Sequence, residues 1–239
     1  EQGASLVVCD NKQIEKEDKI LLCENSLTML QNLATYHRKQ LKTTIIGISG
    51  TNGKTTTKEL IQVVLSKKFK TLATKGNLNN HIGVPLTLLS IPCDTEIAIV
   101  EMGANHVGEI GFLCDIAMPD LAILTNIGTA HIEGFGSREN IKKTKKELFD
   151  FVKNNSCEKS HIFVNDDDNA LKDETFSKKT TYSLNKKADI SAKACCENGC
   201  AQIIYKDNLI ASNLVGVCNA YNILAALTIG LHFGVELEQ

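Results

Sequence analysis

The chain has 239 residues, of which 43% are hydrophobic, and 26 Lys and Arg residues against 28 Asp and Glu residues leave a formal charge of −2. This composition excludes a disordered chain, a collagen-like repeat and a small disulfide-rich protein. The near-neutral balance provides no broad positive field for a polyanion. We therefore expect no nucleic-acid partner, and any phosphate recognition must come from a local site.

The amino-terminal sequence and the cysteines predict a cytoplasmic protein. The chain does not open with a basic region followed by an apolar core, and no apolar run approaches the roughly 18 residues that cross a bilayer. The nine cysteines are odd in number and scattered. Their closest group, residues 195–200, lacks the paired spacing and the nearby histidine of a zinc site. We expect free thiols and no membrane insertion.

Strand-like and helical patterns alternate along most of the chain. Short strand-like pieces at 5–9 and 19–23 precede a helix over 26–40. The predicted order is then strand 44–49, helix 55–67, strand 71–74, helix 84–89, strand 97–102, helix 108–117, strand 121–125, helix 139–152 and strand 161–164. This rhythm predicts an α/β fold with a doubly wound, mostly parallel sheet. A polar stretch over 180–213 predicts a few edge strands, and a helix over 219–231 follows.

The strongest local motif is a glycine-rich loop that leaves a strand and opens a helix. Its sequence over residues 47–56 is Gly-Ile-Ser-Gly-Thr-Asn-Gly-Lys-Thr-Thr. In this context glycine N–H groups cradle phosphate oxygens, Lys54 reaches the β and γ phosphates, and Thr55 binds Mg²⁺. The spacing departs from the strict motif, because Ile48 occupies the position of the first glycine. A glycine-rich turn with an incidental lysine is the alternative, and the flanking strand and helix disfavour it.

A carboxylate and a lysine stand out in two other elements. Glu101 directly follows the apolar run over 97–100, at the sheet edge where the phosphate loop lies, and there it could bind a cation or be solvated. Lys145 falls in the middle of the apolar stripe of the helix over 139–152. Periodicity alone favours a lysine that snorkels to solvent, whereas a neutral amine could capture CO₂ as a carbamate.

The sequence as a whole resembles the Mur ligases, and among them the MurF type, UDP-N-acetylmuramoyl-tripeptide:D-alanyl-D-alanine ligases. The motifs that carry the resemblance are residues 50–56, 74–85, 101–106, 108–110 and 125–137, and it extends in consistent order from about residue 26 to residue 233. The resemblance implies ATP-driven amide formation, with ATP and two Mg²⁺ ions as cofactors. It also implies UDP-MurNAc-tripeptide and D-Ala-D-Ala as substrates, and we expect a monomer.

The same resemblance assigns roles by motif position. The implied nucleotide-binding residues are Gly50, Thr51, Asn52, Gly53, Lys54, Thr55, Thr56, Asn165, Asn219 and Asn222. The implied metal ligands are Thr55, Glu101, His131 and Lys145, of which Lys145 would be carbamylated, and the implied catalytic residues are Lys54, His131 and Lys145. Asn77, Asn79 and Asn80 are implied near the γ-phosphate and the acceptor carboxylate, although a turn-forming role suits these asparagines equally.

The resemblance also implies a domain organisation. Residues 1–40 would be the tail of an N-terminal UDP-binding domain with its linker helix, residues 41–239 the central ATP-binding domain, and the C-terminal ligase domain would be absent. We then expect weak ATP binding and little product from the isolated chain. One departure concerns Cys218, which replaces a histidine of the family pattern. A thiol lacks the flat ring of histidine, so nucleotide affinity or base selectivity would fall.

Two other functions stay open, and a third is disfavoured. A different amide ligase of the superfamily, MurE-type or folylpolyglutamate synthetase-like, shares most of the motifs. A noncatalytic nucleotide-binding module is favoured by Cys218 and by the expected absence of the C-terminal domain, and it is opposed by the intact Lys54, Thr55, Glu101, His131 and Lys145. A GTPase or small-molecule kinase is disfavoured, because the Asn-Lys-x-Asp guanine signature does not occur.

Overall fold

The structure, a computed structural model, describes residues 3–14, 18–128 and 132–238, with the backbone alone for residues 132 and 133. Two short strands, β1 (Val7–Cys9) and β2 (Ile20–Leu22), pair in parallel. Helix α1 (Ser26–Gln40) follows with the predicted bounds. It packs against helices of the main layer, and the domain boundary at residue 40 stays a prediction.

A wholly parallel sheet of seven strands forms the centre of the fold. In chain order its strands are β3 (Thr44–Ser49), β4 (Thr71–Ala73), β5 (Ile97–Glu101), β6 (Leu121–Leu124), β7 (His161–Asn165), β8 (Lys179–Ser183) and β9 (Ile190–Ser191). Their spatial order is β4-β5-β3-β6-β7-β8-β9. The central strands β3, β5 and β6 are almost entirely buried, which is why their sequences are continuous apolar runs.

Helices cover both faces of this sheet. One face carries α2 (Lys54–Leu65) and α7 (Asn219–His232), and the other carries α1, α3 (Gly83–Leu89), α4 (Glu109–Ala117) and α6 (Arg138–Asn154). A short helix, α5 (Ile132–Phe135), precedes α6. After β3 the chain continues to β4 and β5 on one side of the sheet, and after β6 it continues to β7, β8 and β9 on the other side. The predicted doubly wound α/β fold is therefore confirmed. Ligands bind outside the carboxyl ends of the strands at such a switch point.

The strands predicted within 180–213 divide between two sheets. Strands β8 and β9 extend the main sheet to its edge, as predicted. Strands β10 (Lys193–Glu197), β11 (Cys200–Tyr205) and β12 (Asn208–Val215) form a separate antiparallel sheet, so the prediction of edge strands is wrong for them. The inner residues Ala201, Ile203 and Tyr205 pack into the same core as α2 and α7. This small sheet therefore covers helices instead of lengthening the main sheet.

Arg38 anchors α1 to the layer of helices beside it. Its guanidinium donates to the carbonyl of Ala117 at 3.0 Å and to that of Met118 at 2.9 Å. It also forms a salt bridge of 2.9 Å with Asp120, whose carboxylate accepts the N–H of Ile45 at 2.8 Å. Arg38 is 8% exposed, so these contacts replace the water that a charged group otherwise requires.

We expect Arg38→Met to lower the free energy of unfolding by about 2–4 kcal/mol, because the carbonyls of Thr43, Ala117 and Met118 would lose a donor and the Asp120 carboxylate would lose its salt bridge. Urea denaturation measures the change. Lys39→Met, at an exposed position of the same helix, is the control and should stay within about 0.5 kcal/mol of the parent chain. Equal losses in the two variants would contradict the anchoring role.

Candidate nucleotide-binding site

The loop between β3 and α2 turns at two glycines whose conformations disfavour other residues. Gly50 has a φ of +141° and Gly53 a φ of +78°. A Cβ atom on Gly50 would lie 2.0 Å from the Thr125 hydroxyl, and one on Gly53 would lie 2.7 Å from the Asn222 side-chain oxygen. Both positions therefore require glycine for lack of space as well as for backbone conformation.

Residues that follow β6 hold this loop in shape. The Thr125 hydroxyl donates to the carbonyl of Asn52 at 2.6 Å. The Asn126 amide donates to the same carbonyl at 3.0 Å and accepts the Asn52 N–H at 3.1 Å. The Thr51 N–H donates to the Asn126 carbonyl at 2.9 Å, and the Thr51 hydroxyl accepts the N–H of Gly128 at 2.9 Å. The loop is thus fastened to the neighbouring strand end across the switch point.

Lys54 lies over the loop that precedes it. Its ammonium donates to the carbonyls of Gly50 at 3.0 Å and Thr51 at 3.1 Å. Burial lowers the pKa of Lys54, and the Glu101 carboxylate partly offsets that shift. A lysine held at the start of a helix, beside backbone N–H groups, is the arrangement that binds phosphate oxygens.

The Glu101 carboxylate is buried and bonded at the end of β5. The carboxylate accepts hydrogen bonds from the Thr55 hydroxyl at 3.0 Å and from the Asn79 amide at 2.8 Å. The backbone N–H of Glu101 donates to the Thr74 hydroxyl at 2.9 Å. The residue is 1% exposed, so the alternative of a solvated glutamate is wrong. Thr55 and Glu101 bring together two oxygen donors of the kind that Mg²⁺ prefers.

These donors suit magnesium better than zinc. Among the side chains that the structure describes, no three His, Cys, Asp or Glu residues converge as metal ligands. Mg²⁺ in nucleotide sites takes one or two protein oxygens and completes its shell with phosphates and water. Thr55 and Glu101 fit that requirement. The predicted ligand His131 lies outside the described residues.

Helix α6 buries the predicted stripe with Lys145 in it. Lys145 is 4% exposed, so it does not snorkel to bulk solvent and that alternative is wrong. Its ammonium lies 5.9 Å from the centre of the Phe135 ring, and it makes no hydrogen bond or salt bridge with any side chain that the structure describes. Burial and then the Lys54 charge lower the pKa of Lys145 to about 8, against the opposing effect of Glu109 and Glu147.

Lys145 and the phosphate loop face one cleft of about 440 Å³. Its walls come from the phosphate loop, the asparagine loop before α3, the start of α4 and helix α6. The lining includes Gly50, Thr51, Lys54, Asn79, Asn80, Asn105, His106, Glu109, Phe135 and Lys145. The structure therefore brings together two predicted cationic residues and two of the predicted asparagines.

The start of α4 is held by two carboxylates. Glu109 accepts the N–H groups of Asn105 at 2.6 Å and His106 at 3.0 Å. Burial raises the pKa of Glu109, but these hydrogen bonds outweigh burial and the net shift is downward. From α6, Glu147 accepts the N–H of Gly111 at 2.8 Å. One wall of the cleft is thereby joined to the helix that carries Lys145.

The three asparagines predicted near the acceptor have different surroundings. Asn79 binds Glu101, as described above. The Asn80 side chain accepts the N–H groups of Ile82 at 3.0 Å and Gly83 at 2.9 Å, so it forms the turn that begins α3. Asn77 is exposed, and it does not line the cleft. Within this loop, Asn79 alone reaches the candidate metal ligand.

Four asparagines predicted to contact the nucleotide, Asn52 in the phosphate loop and Asn165, Asn219 and Asn222 elsewhere, do not line this cleft. The Asn165 side chain accepts the N–H of Asp167 at 3.1 Å after β7. Asn222 accepts the Thr57 hydroxyl at 3.0 Å and donates to Asn219 at 2.8 Å, behind the phosphate loop. Cys218, an exposed thiol, is the N-cap of α7. Direct nucleotide contacts of Asn165, Asn219 and Asn222 stay predictions, as does the role of Thr56.

Sequence reasoning missed the residues that clamp the phosphate loop. Thr125 and Asn126 belong to a motif already singled out, at the end of an apolar strand, but without an assigned role. Their position was the available signal, because the carboxyl ends of neighbouring parallel strands meet at one sheet edge.

Comparisons with known proteins agree with this geometry. The Mur ligase middle-domain model matches residues 48–230. The UDP-N-acetylmuramoyl-tripeptide–D-alanyl-D-alanine ligase of Bacillus subtilis (strain 168) is 36% identical over 244 aligned residues, which cover 100% of this chain and 52% of that protein. The ligase of the same name from Synechocystis is 39% identical over 223 residues, covering 91% of this chain and 47% of that protein. This chain thus spans about half the length of the curated relatives it matches.

Solved structures give the same picture. A crystal structure of MurF from Acinetobacter baumannii matches with a TM-score of 0.82 at 31% identity, over 94% of this chain and 51% of that chain. MurF from Thermotoga maritima in complex with ADP matches with a TM-score of 0.81 at 32% identity, over 98% of this chain and 55% of that chain. Separately, none of the helices in the described part of the chain has the length and apolarity to span a membrane.

We expect Gly50→Ala to weaken ATP binding at least about tenfold, because the added methyl group collides with Thr125 and forces the loop to move. Isothermal titration calorimetry measures the affinity. Gly199→Ala is the matched control, since Gly199 also has a positive φ but nothing lies within 4 Å of its added Cβ. Equal affinity in the parent chain and both variants would show that the loop does not bind the nucleotide.

Proposed function

This chain belongs to the Mur ligase family through its middle domain, and on that premise we propose that it is the ATP-binding part of a MurF-type ligase. The proposed reaction joins D-Ala-D-Ala to UDP-MurNAc-tripeptide at the expense of ATP. One observation carries the proposal: Lys54 of the phosphate loop, Asn79 and Lys145 line one cleft, and Asn79 is hydrogen-bonded to the Glu101 carboxylate, which is in turn bonded to Thr55. The substrates themselves come from the names of relatives that are about twice as long as this chain.

The protein groups on one side of the cleft suit the nucleotide. Backbone N–H groups of the loop and the Lys54 ammonium would bind the β and γ phosphates. Thr55 and Glu101 would hold one Mg²⁺, which supplies positive charge against the oxygens of the transferred phosphoryl group. Because the loop is fastened to the end of β6 before any ligand arrives, its backbone N–H groups need little rearrangement to bind.

The other side of the cleft suits an acceptor carboxylate. In the proposed reaction the tripeptide carboxylate attacks the γ-phosphorus, the bond to ADP breaks, and an acyl phosphate forms. The amine of D-Ala-D-Ala then attacks the acyl carbon, phosphate leaves with the bonding electrons, and the amine loses a proton. Asn79 and Asn80 line the cleft where they could orient the carboxylate, and Lys54 could neutralise developing negative charge, so the contribution of this chain is positioning and charge neutralisation.

We also propose that Lys145 is carbamylated, as the family resemblance implies. The amine would add CO₂ and release a proton, which converts a cation into an oxygen ligand for a second Mg²⁺. Two features support this step: burial together with the Lys54 charge lowers the pKa of Lys145 to about 8, and its ammonium is unpaired among the described residues. Each disfavours the charged amine and thereby favours reaction with CO₂.

We propose that the protein acts in the cytoplasm as a monomer. All nine cysteines are free, whether buried like Cys114 or exposed like Cys93. Free thiols in this number fit a reducing compartment. ATP is also available there.

The first test measures ATP binding and acceptor-dependent phosphate release. We expect Lys54→Ala to weaken the affinity of the chain for Mg²⁺-ATP by about tenfold or more, because a charged contact to phosphate is lost, while exposed Lys67→Ala leaves it unchanged. In the longest natural form of the protein, phosphate release should require both UDP-MurNAc-tripeptide and D-Ala-D-Ala. Release with a different acceptor pair would indicate another ligase of the superfamily. Binding without release for any pair would indicate a noncatalytic module.

The second test looks for the carbamate by ¹³C NMR with labelled bicarbonate. The parent chain and Lys143→Met, altered at an exposed position of α6, should each give one protein-bound carbamate signal. Lys145→Met should give none, because the reactive amine is removed. A signal that persists in Lys145→Met, or one that is missing from the parent chain, would overturn this step.

A further inference from the structure

Helix α2 buries a second lysine for which neither the motifs nor the proposed chemistry provides a role. Lys58 lies one helical turn after Lys54, and its side chain is 0% exposed. An ammonium removed from water destabilises the fold by several kcal/mol unless hydrogen bonds and an opposite charge compensate. Its partners therefore indicate why the position holds a lysine.

Lys58 has partners in the candidate metal ligand itself and in the segment beside it. Its ammonium donates to the carbonyl of Thr74 at 2.5 Å and to that of Gly76 at 3.3 Å. It lies 2.9 Å from the Glu59 carboxylate and 3.9 Å from that of Glu101. The Glu59 side chain is 56% exposed, so water screens that pair, whereas Glu101 is as buried as Lys58 itself.

The two carbonyls belong to the segment that leads to Asn79. Thr74 accepts the N–H of Glu101 through its hydroxyl, and Asn79 donates to the Glu101 carboxylate. Lys58 thus interacts with the Glu101 carboxylate directly through its charge. It also holds the backbone of the loop that carries Asn79, which donates to the same carboxylate.

The Thr55 hydroxyl explains why the Glu101 carboxylate needs further hydrogen-bond and charge partners. Thr55 now donates its hydrogen to Glu101, but a threonine that binds a cation must turn a lone pair toward it. Glu101 would then lose one of its donors at the moment when it must stay in place. Lys58 and Asn79 would remain as its supports.

We propose that Lys58 is a positioning residue for magnesium: it holds the Glu101 carboxylate and the Thr74–Asn79 segment in the geometry that binds the cation. The inference rests on the proposed function, since it concerns the Mg²⁺-ATP site. Lys58 acts through Glu101 and does not itself contact the nucleotide.

The test compares ATP affinity in magnesium with ATP affinity in EDTA by calorimetry. We expect Lys58→Met to reduce the ratio of the two affinities by about tenfold, the lower end of the effect measured for residues that orient metal ligands. Affinity in EDTA should change by less than about twofold, because the phosphate loop and Lys54 are untouched. Lys67→Met, at an exposed position just beyond α2, should match the parent chain in both buffers. A merely structural lysine would instead lower thermal stability and leave the ratio unchanged.

A second pair of variants keeps the proposal testable if Lys58→Met does not fold. Glu101→Gln and the double variant Lys58→Met/Glu101→Gln are measured in the same two buffers, and the double variant lacks both buried charges, which favours folding. If Lys58 acts through Glu101, the two variants have the same magnesium ratio. A further loss in the double variant would overturn the proposal. If the parent chain binds no ATP, the proposed function fails; if it shows a magnesium effect that Lys58→Met retains, only the role of Lys58 fails.

Discussion

The close approach of Gly50 to Thr125 governs the shape of the site. The Thr125 hydroxyl lies 2.0 Å from the point that a Cβ on Gly50 would occupy, which leaves space for hydrogen alone at that position. The same hydroxyl binds the Asn52 carbonyl. The ends of β3 and β6 are thereby joined on either side of the switch point. A loop formed in this way is ordered during folding, so ligand binding does not have to order it.

Two lysines lie close to the Glu101 carboxylate at this edge of the sheet, and a third faces the same cleft as Lys54. Lys54, Lys58 and Lys145 are all at least half-buried, and Glu101 lies close to two of them. The chain as a whole carries a formal charge of −2, so the positive charge is local. Binding of a polyanion at this edge would therefore depend on local groups, the Lys54 ammonium and the backbone N–H groups of the phosphate loop, and not on a basic surface.

The fold and half of the site follow from local patterns, and the rest depends on tertiary contacts. Continuous apolar runs predict a parallel sheet, and the buried stripe of α6 predicts Lys145. The same rule applied to α2, whose buried residues include Thr57, Lys58 and Ile61, would have found Lys58. Strand patterning could not predict that β10–β12 leave the main sheet, because the partner of a strand is set by distant residues. Likewise, the fold of one loop alone decides that Asn79 binds Glu101 and Asn80 forms a turn.

The hydrogen bond between Glu147 and Gly111 joins the two helices that flank the cleft. Glu147 and Lys145 share one turn of α6, and Gly111 belongs to the first turn of α4. A rotation of α6 that withdrew the amine would also pull on α4 and shift the entrance beside it. The width of the entrance and the position of the Lys145 amine are consequently coupled. A molecule that bound between α4 and α6 would displace the two helices together.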